Sequence, residues 1–450
     1  MAIKEDITLR KQTEAQLNYQ SNYDILTTLP NRAYILRLLR QDLVLAQYNQ
    51  EKVAILCLDL DHFKTINETL GHGCGDQLLV EVAHRLQGCM RRTDKIGRLG
   101  GDEFLLIVHH NQLSTVMELV HSILETLQTP FILPSNDAEW FLSASIGITI
   151  SPDDGEQVNV LLRNADIALY QAKSLGRNTW VFFTACMTEK AHRRQLLSQS
   201  LRQAIANQEF YLAYQPIVNL HTQAVIGAEA LVRWESPILG QVSPDEFIAV
   251  AEESYLIVQL GSWVLDQVCH QLQKWQALDI PLDWIAVNLS ARQFHDSQLL
   301  SYLTGLLSTY NLKPQSIKLE ITERLLMDDV TGSVDVLLEI DAMGFPLALD
   351  DFGTGYSSLS YCKRFPFSTL KVDKSFITDL PQDAESAALT RAIIAMAHEL
   401  GLTVVAEGIE TLAQLNFLQQ EGCDFGQGYY FAPALLPLQF EQYWHRHHQE

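Results

Sequence analysis

The chain has 450 residues, 47% of them hydrophobic and 19% charged, and its formal net charge is −22. A single hydrophobic core rarely extends past about 250–300 residues, so this length predicts two or more domains. The acidic balance excludes a broad surface for a nucleic-acid polymer, although local cations and acid-bound metals still suit a small phosphate-bearing ligand.

The sequence carries no recognisable targeting segment. No run of about 18 apolar residues marks a transmembrane segment, and residues 1–20 lack the apolar core of a signal peptide, so we expect a cytoplasmic protein. The cysteines are scattered without zinc-type spacing, and Cys57 and Cys269 lie in apolar runs typical of reduced core residues. The His-Arg-His-His run at 445–448 is interpreted as a solvated tail rather than a chelating site.

Residues 1–20 are predicted to form a polar helical linker with a weak apolar stripe. Two interpretations stay open. The segment is either the end of a linker from an upstream sensory domain or a helix through which the chain dimerises.

Residues 21–183 are predicted to form an α/β domain whose strands end in acidic residues. The apolar run Val53–Leu58 is a buried strand that leads to Asp59, and a helix is expected after it. A Gly-rich turn then ends in Asp76, which is predicted to cap a helix from Gln77 to Met90.

A hairpin is predicted in the middle of this domain, because Gly100-Gly101 precedes two acids and the apolar run Leu105–Val108. Two further elements are predicted after it: a strand at Phe141–Ile150 and a helix at Asn164–Ser174.

The first domain offers acids at its strand ends and bases nearby. Such a set suits metal ions that bridge to a nucleoside triphosphate. The sequence lacks the Gly-x-x-x-x-Gly-Lys-Ser/Thr loop of P-loop enzymes. The alternative for the two hairpin acids is a charged tip that binds nothing. The acids are Asp59, Asp102 and Glu103, and the bases are Lys64, Lys173 and Arg177.

Residues 184–200 are predicted to be a connecting helix, and residues 201–450 alternate apolar runs with helix-like stretches. Eight strand candidates in about 250 residues match a (β/α)₈ barrel. The candidates are Phe210–Tyr214, Ala224–Val232, Trp284–Val287, Ile317–Leu319, Pro346–Leu349, Thr369–Val372, Thr403–Ala406 and Gly428–Phe431.

Polar side chains recur in or just after these predicted strands. The C-terminal ends of the strands in such a barrel form one face, where the active site lies, so we expect these side chains to meet there. The alternative is that they only cap loops, since a fold alone does not fix a function. The residues are Glu229, Asn288, Glu320, Asp350, Asp351, Lys371, Glu407 and Gln427.

These oxygen donors can bind one or two Mg²⁺ or Mn²⁺ ions, and the lack of a matching histidine set disfavours zinc. Two metals about 3.5–4 Å apart suit in-line attack of water on a phosphodiester. Lys371 is predicted to orient the water or stabilise phosphoryl charge, and Arg233, on the same strand face as Glu229, to pair with a substrate phosphate.

Two alternatives remain for the second domain. Metal-stabilised enolisation of a sugar or carbonyl substrate is possible on the same barrel. Asp350-Asp351 can also be an Asp-rich turn that caps the next helix.

Two motifs resemble known families. Gly100-Gly101-Asp102-Glu103-Phe104 resembles the signature of GGDEF diguanylate cyclases, and Glu229-Ala230-Leu231, within GAEALVRW, resembles that of EAL cyclic-di-GMP phosphodiesterases. Several spaced motifs agree in each case, and together they cover nearly the whole chain. The resemblance implies two α/β domains: a nucleotidyl-cyclase-like GGDEF domain at 21–183 and a (β/α)₈ TIM-like EAL barrel at 201–450.

For the first domain the resemblance implies GTP as substrate and one or two Mg²⁺ or Mn²⁺ ions, held by Asp59 and Glu103 with Asp102 beside them. Such cyclases condense two GTP molecules from two facing domains, which implies a homodimer. The resemblance also implies guanine contacts for Asn67 and Asp76, phosphate contacts for Lys64, Lys173 and Arg177, and an inhibitory product site of RxxD type at Arg91 and Asp94. The alternative for the last pair is a charged turn.

For the second domain the resemblance implies hydrolysis of cyclic-di-GMP to linear pGpG with two metal ions. Lys371 and Gln427 would support the catalytic water and the metal shell, Arg233 would bind a dinucleotide phosphate, and Glu323 would hold the DDFGTG loop. The implied metal ligands are Glu229, Asn288, Glu320, Asp350, Asp351 and Glu407.

Three functions stay open at this point. The first is a bifunctional enzyme with an active phosphodiesterase and a competent cyclase, which the intact ligand sets favour. The second is a phosphodiesterase whose first domain only binds GTP and regulates. The third is a non-catalytic receptor for cyclic-di-GMP.

Overall fold

The structure is a computed structural model that describes residues 21–110, 112–132, 139–323, 325, 330–353 and 365–448. The helix predicted for residues 1–20 lies outside these ranges. The chain divides into two compact units between Arg193 and Arg194, and each unit has its own hydrophobic clusters.

The first unit is built on a five-stranded sheet with the strand order β2-β3-β1-β6-β7. Its strands are β1 (Lys52–Leu60), β2 (Lys95–Gly100), β3 (Glu103–His110), β4 (Phe131–Ile132), β5 (Glu139–Trp140), β6 (Ala144–Ser151) and β7 (Trp180–Phe182), of which β4 and β5 form a separate pair. Its helices are α1 (Arg32–Asn49), α2 (Phe63–Leu70), α3 (His72–Cys89), α4 (Leu113–Gln128) and α5 (Val158–Ser174).

The apolar sequence of β1 is explained by burial on both faces. Ala54, Leu56 and Leu58 pack in the cluster that contains the apolar residues of α3 and α4. Val53 and Ile55 pack on the opposite face with α1 and α5. Because successive strand residues point to opposite faces, a continuous apolar run produces this three-layer α/β/α arrangement.

Three predictions in this unit differ from the structure. The helix predicted from Asn164 already begins at Val158, as α5. Asp76 does not cap a helix from Gln77, because α3 already begins at His72, and the left-handed residue at the junction is Gly71 with φ +83°. Gly75 serves packing instead, since a Cβ there would lie 1.9 Å from Oδ1 of Asn67. The strand predicted from Phe141 begins only at Ala144, as β6.

Helix α6 (Ala185–Ala206) is longer than the connector predicted at 184–200. Its residues Leu197, Leu201 and Ala204 pack in an apolar cluster of the second unit.

The second unit contains a sheet that closes on itself, as predicted for a barrel. Its strands are β8 (Phe210–Asn219), β9 (Val225–Ser236), β10 (Gly240–Val242), β11 (Trp284–Asn288), β12 (Ile317–Thr322), β13 (Leu347–Phe352), β14 (Thr369–Val372), β15 (Thr403–Ala406) and β16 (Phe425–Gly426). Its helices are α7 (Pro244–Glu253), α8 (Leu256–Ala277), α9 (Ala291–Phe294), α10 (Leu299–Tyr310), α11 (Val330–Ala342), α12 (Lys374–Ile377), α13 (Ala384–Glu399), α14 (Leu412–Gln420) and α15 (Pro437–His448).

The barrel departs from the regular parallel form at its first strand. Strands β9 and β11 to β16 are parallel neighbours, whereas β8 pairs antiparallel with both β9 and β16 and so closes the ring. Strand β10 is an additional hairpin strand on β9.

The eighth strand was predicted at the wrong position. It is Phe425–Gly426 rather than Gly428–Phe431, which forms a turn. The turn packs tightly, because a Cβ on Gly428 would lie 2.2 Å from the carbonyl oxygen of Ile409.

In the part of the chain that the structure describes, no helix combines the length and apolar character needed to cross a bilayer.

Candidate functional site

The mouth of the barrel gathers inward-facing polar side chains from its parallel strands. Register pairs Asn288 with Glu320 across β11 and β12, and Thr322 with Asp350 across β12 and β13. Because side chains alternate along a strand, Ala286 lies two residues deeper than Asn288 on the same face, and it packs with Ile217 and Val405 in an apolar cluster. The polar residues at the strand ends therefore form a layer, and the positions beneath it are apolar at Ala286 and Val405 and polar at Lys318 and Thr369.

The ammonium group of Lys371, which is 1% exposed, lies at the centre of this layer. Its Nζ is 2.7 Å from Oε1 of Glu407, 2.8 Å from Oε2 of Glu320, 3.2 Å from Oδ2 of Asp350 and 3.6 Å from Oε2 of Glu229. One buried cation thus faces four carboxylates.

Two amides complete the layer around Glu229. Asn288 Nδ2 donates to Oε1 of Glu229 at 2.7 Å, and Gln427 Nε2 donates to Oε2 at 2.7 Å and to Oε1 of Glu407 at 3.0 Å. Burial opposes ionisation of Glu229, but the Lys371 charge and these two hydrogen bonds together hold its pKa below the ordinary value. Glu229 is therefore a fixed negative charge.

The neighbouring acids Glu320 and Glu407 hold their protons more strongly than ordinary glutamates do. Burial, together with the charges of Glu229 and Asp350, raises the pKa of Glu320 well above its ordinary value despite Lys371. Burial, with Asp350 and Glu229 adding to it, raises the pKa of Glu407 to about 7. The four carboxylates in turn hold the pKa of Lys371 well above the usual value, although burial opposes this.

Strand β13 delivers two adjacent aspartates through a bulge. The β13–β14 register shifts between Leu349 and Phe352, and Asp351 adopts φ +54°. The Asp351 amide donates to Oδ1 of Asp350 at 2.9 Å. Burial and the neighbouring charge of Asp350 raise the pKa of Asp351. The bulge is what allows consecutive residues to reach one site.

Glu323 lies at the end of β12, 7% exposed, and its Oε2 accepts a long 3.4 Å hydrogen bond from the Gly353 amide. This contact links Glu323 to the first residues of the DDFGTG motif. The rest of that loop, from Thr354 onward, lies outside the described residues.

Arg233 is not part of the Lys371 cluster. It lies four residues beyond Glu229 on β9, about 13 Å along the strand, and its Nη1 donates to the carbonyl of Val232 at 2.9 Å. With Tyr211, His270 and Lys274 it lines a cavity of about 700 Å³.

One polar residue at the mouth was missed by sequence reasoning. Gln215 of β8 lies directly opposite Glu229, and its Nε2 donates to the carbonyl of Ala432 at 3.2 Å. It could be found only from the antiparallel β8–β9 register, which the sequence did not indicate.

The donor set fits divalent metal ions of the Mg²⁺ or Mn²⁺ type. Three buried carboxylates and the half-buried carboxylate of Glu407 surround one ammonium, and Gln427 Oε1 is buried without a hydrogen-bond partner among the described residues. Among the residues that the structure describes, no three acids, histidines or cysteines are arranged as a metal shell, and Lys371 Nζ contacts the carboxylates instead.

The first unit brings its three predicted acids together at one end of the sheet. Asp59 of β1 lies directly opposite Glu103 of β3, and the Leu60 amide donates to the carbonyl of Asp102 at 3.4 Å. Lys173 Nζ lies 2.7 Å from Oδ1 of Asp59. Burial raises the pKa of Asp59; Lys173 opposes this shift, and the other two acids add to it. Such a concentration of acids also fits a divalent cation.

The GGDEF hairpin is held by an arginine that the sequence analysis did not single out. Gly100 and Gly101 have φ +145° and +54° in the turn. Arg98 donates to the carbonyl of Gly101 from Nε at 2.9 Å and from Nη2 at 2.7 Å, and its Nη1 pairs with Asp24 at 2.9 Å. The fork geometry fixes the turn that presents the acids.

The predicted guanine and phosphate contacts lie on the segments that flank these acids. Asn67 of α2 packs over Gly75 of α3. The next residue after Gly75 is Asp76, which is exposed. Lys64 is exposed on α2, and its Nζ is 3.8 Å from Glu68. Arg177 lies in the turn after α5 with φ +63°.

Arg91 and Asp94 form a compact turn before β2. The Arg91 amide donates to Oδ2 of Asp94 at 3.0 Å, and the Asp94 amide donates to the Arg91 carbonyl at 3.1 Å. This is the geometry of the charged-turn alternative, and product binding there stays a prediction.

Comparison with protein families gives two matches along the chain. Residues 21–179 match the family described as "Diguanylate cyclase, GGDEF domain", and residues 198–434 match the EAL domain family.

Similar proteins share both regions. The chain is 42% identical over 409 residues to the bifunctional diguanylate cyclase/cyclic di-GMP phosphodiesterase MucR of Pseudomonas aeruginosa, covering 90% of this chain and 59% of that protein. It is 37% identical over 442 residues to the cyclic di-GMP phosphodiesterase PdeR of Escherichia coli, covering 98% and 66%. The chain thus spans about three fifths of the length of MucR and two thirds of that of PdeR.

Two solved structures are similar. The PaMucR phosphodiesterase in a c-di-GMP complex matches with a TM-score of 0.53 and 42% identity, covering 54% of this chain and 99% of that one. The S helix-GGDEF-EAL part of Vibrio cholerae LapD matches with a TM-score of 0.59 and 22% identity, covering 94% and 99%, which supports the fold alone. The matched regions and the acids at the ends of their strands place this chain in the family of proteins in which a GGDEF domain is followed by an EAL domain.

Proposed function

We propose that the EAL domain hydrolyses cyclic-di-GMP to linear pGpG. The observation that carries the proposal is the buried ammonium of Lys371 among the carboxylates of Glu229, Glu320, Asp350 and Glu407. Relatives named as cyclic-di-GMP phosphodiesterases support the choice of substrate.

Each residue of the mouth has a role in this proposal. Lys371 stabilises negative charge on the phosphoryl oxygens and orients the attacking water, since it is the one cation in the layer of described side chains. Gln427 and Asn288 fix the orientation of Glu229. Arg233, farther along β9, pairs with the second phosphate of the dinucleotide.

Mg²⁺ or Mn²⁺ ions, when bound, would supply Lewis-acid activation and charge neutralisation. Their ligands would be Glu229, Asn288, Glu320, Asp350, Asp351 and Glu407, with Glu323 holding the segment at Gly353. The raised pKa values of Glu320, Asp351 and Glu407 support this ligand set, because a nearby cation would favour the charged form of each acid.

Hydrolysis is tested by incubating the protein with cyclic-di-GMP and Mg²⁺ or Mn²⁺ in water enriched in oxygen-18. We expect pGpG that carries one heavy oxygen in its terminal phosphate, and no product from Asp350→Asn. Glu399→Gln, which changes an exposed acid at the end of α13, serves as the matched control. A protein that binds cyclic-di-GMP without forming pGpG would instead be a receptor.

We also propose that the GGDEF domain condenses two GTP molecules to cyclic-di-GMP when two chains face each other as a homodimer. The convergence of Asp59, Asp102 and Glu103 at one sheet end, next to Lys173, supports this proposal. The acids would hold Mg²⁺ or Mn²⁺, while Lys64, Lys173 and Arg177 hold the phosphates and Asn67 and Asp76 the guanine.

Cyclase activity is tested in a Glu229→Ala background, where the product is not consumed. Accumulation of cyclic-di-GMP from GTP supports an active cyclase, and its loss in Glu103→Gln assigns it to the hairpin. GTP binding without accumulation would leave the first domain as a regulatory module of the phosphodiesterase. Product inhibition that disappears in Arg91→Ala would support a feedback site at Arg91 and Asp94.

A further inference from the structure

Asp61 is a buried carboxylate that the proposed chemistry does not use. It follows β1, is 4% exposed, and directly precedes His62, the residue before α2. Its Oδ1 accepts from Ser145 Oγ at 2.7 Å, and its Oδ2 accepts from Ser143 Oγ at 2.7 Å. Its amide donates to the Ser143 carbonyl at 2.9 Å. These hydrogen bonds offset the hydration that the carboxylate loses on burial.

The third acceptor contact reaches the turn after α5. The amide of Asn178 donates to Oδ2 of Asp61 at 3.0 Å. In this turn Gly176, Arg177 and Asn178 have φ +110°, +63° and +48°. Two non-glycine residues in the left-handed region are costly and persist only where neighbouring contacts hold them. The hydrogen bond that the Asn178 amide donates to the buried Asp61 carboxylate is such a contact.

Two cationic side chains lie in and next to this turn. Lys173 lies in the last turn of α5, where its Nζ pairs with Asp59 at 2.7 Å, and Arg177 lies in the turn itself. On the other side of Asp61, α2 begins within two residues and carries Lys64 and Asn67. Asp61, which lies between β1 and α2, is therefore hydrogen-bonded both to the start of β6 and to the turn after α5.

We infer that Asp61 is a positioning residue of the GGDEF domain, which holds the phosphate-binding cations Lys173 and Arg177 in register with the acids on β1 and β3. The inference rests on the GTP-dependent function proposed above. Asp61 itself does not touch the nucleotide, because its oxygens are buried and already accept three hydrogen bonds.

The test uses the full chain with Asp61→Ala, Asp61→Asn and, as milder changes, Ser143→Ala and Ser145→Ala. Asp153→Asn is the matched control, because Asp153 is an exposed acid that pairs only with the exposed Lys52 among its described contacts. Amide hydrogen exchange of residues 173–179, and trypsin cleavage after Lys173 and Arg177, report on the turn. Binding of a GTP analogue with a methylene bridge between the α and β phosphates reports on the site.

We expect faster exchange and cleavage of the turn in Asp61→Ala, about tenfold weaker analogue binding, and an unchanged rate of pGpG formation from cyclic-di-GMP. Asp61→Asn, which keeps an acceptor oxygen, recovers part of the binding. The serine variants shift both readouts in the same direction by less. Unfolding temperatures close to wild type in the serine variants separate positioning from a general loss of stability.

Unchanged exchange of the turn in Asp61→Ala would overturn the inference, as would a loosened turn with unchanged analogue binding. A wild-type protein that binds no analogue would overturn the proposed GTP function instead. In that case the exchange measurement still decides whether Asp61 holds the turn.

Discussion

At the scale of single residues, the mouth of the barrel depends on the charge of Lys371. Its ammonium lies within 3.6 Å of four carboxylates, and it is 1% exposed. Removing one partner of a buried ion pair is costly, because the ion that is left has lost its hydration and has no opposite charge nearby. Lys371 therefore contributes to stability as well as to the proposed chemistry.

We predict that Lys371→Met lowers the free energy of unfolding of the EAL domain by about 3–5 kcal/mol at pH 8 in the presence of EDTA. The variant removes the ammonium group that Glu229, Glu320, Asp350 and Glu407 all face in the described structure. Hydrolysis of cyclic-di-GMP should fall at least about 100-fold. Chemical denaturation and product chromatography measure the two effects.

The matched control is Lys313→Met, which removes an exposed lysine of the same domain and should leave both quantities unchanged. Addition of Mn²⁺ should restore part of the stability of Lys371→Met, because the ion replaces the lost positive charge. Equal stability of Lys371→Met and wild type in EDTA would contradict this account.

A second buried lysine lies deeper in the barrel. Lys318 Nζ donates to Thr369 Oγ1 at 2.9 Å and lies 3.5 Å from the centre of the Trp284 ring. Burial lowers the pKa of Lys318 to about 8, although the charges of Glu320 and Asp283 oppose the shift. No carboxylate accepts a hydrogen bond from it among the described contacts.

This shift predicts a stability that rises with pH. In the unfolded chain Lys318 titrates near the ordinary value of about 10.4, so between about pH 8 and pH 10.4 the unfolded state binds more protons than the folded state. As pH rises through this window, Lys318 increases the free energy of unfolding by about 1.36 kcal/mol per pH unit, to a total of about 3 kcal/mol. Below about pH 8 its contribution is constant.

Lys318→Met should remove this rise, while Lys313→Met should keep it. Thermal unfolding of both variants and of the wild type is compared at pH 7.5 and pH 9.5. The contributions of the other titrating groups to stability are the same in all three proteins and cancel in the differences. A difference between Lys318→Met and wild type that is the same at both pH values would show that the folded pKa is ordinary.

At the scale of elements, the sequence predicted most of the site because of one repeated pattern. Apolar runs that end in acids or amides marked the parallel strands, and their C-terminal ends meet at one mouth. The prediction that Asp76 caps a helix was wrong, because Gly75 packs against Asn67 and already belongs to that helix. The eighth strand is only two residues long, too short for an apolar run to reveal.

The residues that were missed depend on contacts distant in sequence. Gln215 faces Glu229 only through the antiparallel register of β8 and β9. Arg98 and Asp61 act through hydrogen bonds to a turn backbone, and such bonds leave no periodic pattern in the sequence. Spacing identified the groups suited to chemistry, while the groups that hold them in place required three-dimensional structure.

The bulge of β13 leads to a prediction at this scale. Asp351 adopts φ +54°, a conformation that Asn tolerates and β-branched residues strongly resist. Asp351→Val should lower the free energy of unfolding by about 1–3 kcal/mol, whereas Asp351→Asn should leave it nearly unchanged. Both variants should lose hydrolysis if Asp351 is a metal ligand. Equal stability of the two variants in denaturant titrations would mean that the bulge is not strained.

At the scale of the whole molecule, the two units make different demands on assembly. The barrel collects its acids, amides and lysine within one chain. The proposed cyclase needs two GTP-loaded domains that face each other, so its rate depends on association.

We predict that cyclic-di-GMP formation per chain, measured in the Glu229→Ala background, rises with protein concentration until the dimer is saturated. Hydrolysis per chain in the wild-type protein should stay constant over the same range. Initial rates over a hundredfold dilution series, combined with light scattering, measure both. A cyclase rate per chain that is independent of concentration while the protein is monomeric would contradict the two-domain mechanism.

The barrel mouth around Lys371 is the proposed site of cyclic-di-GMP hydrolysis. The most direct measurement follows cyclic-di-GMP by chromatography with purified wild-type protein in Mg²⁺, in Mn²⁺ and in EDTA, beside Glu320→Gln. We predict conversion to pGpG with either metal and none in EDTA or in the variant. Bound but intact cyclic-di-GMP under every metal condition would contradict the claim and assign the barrel to binding alone.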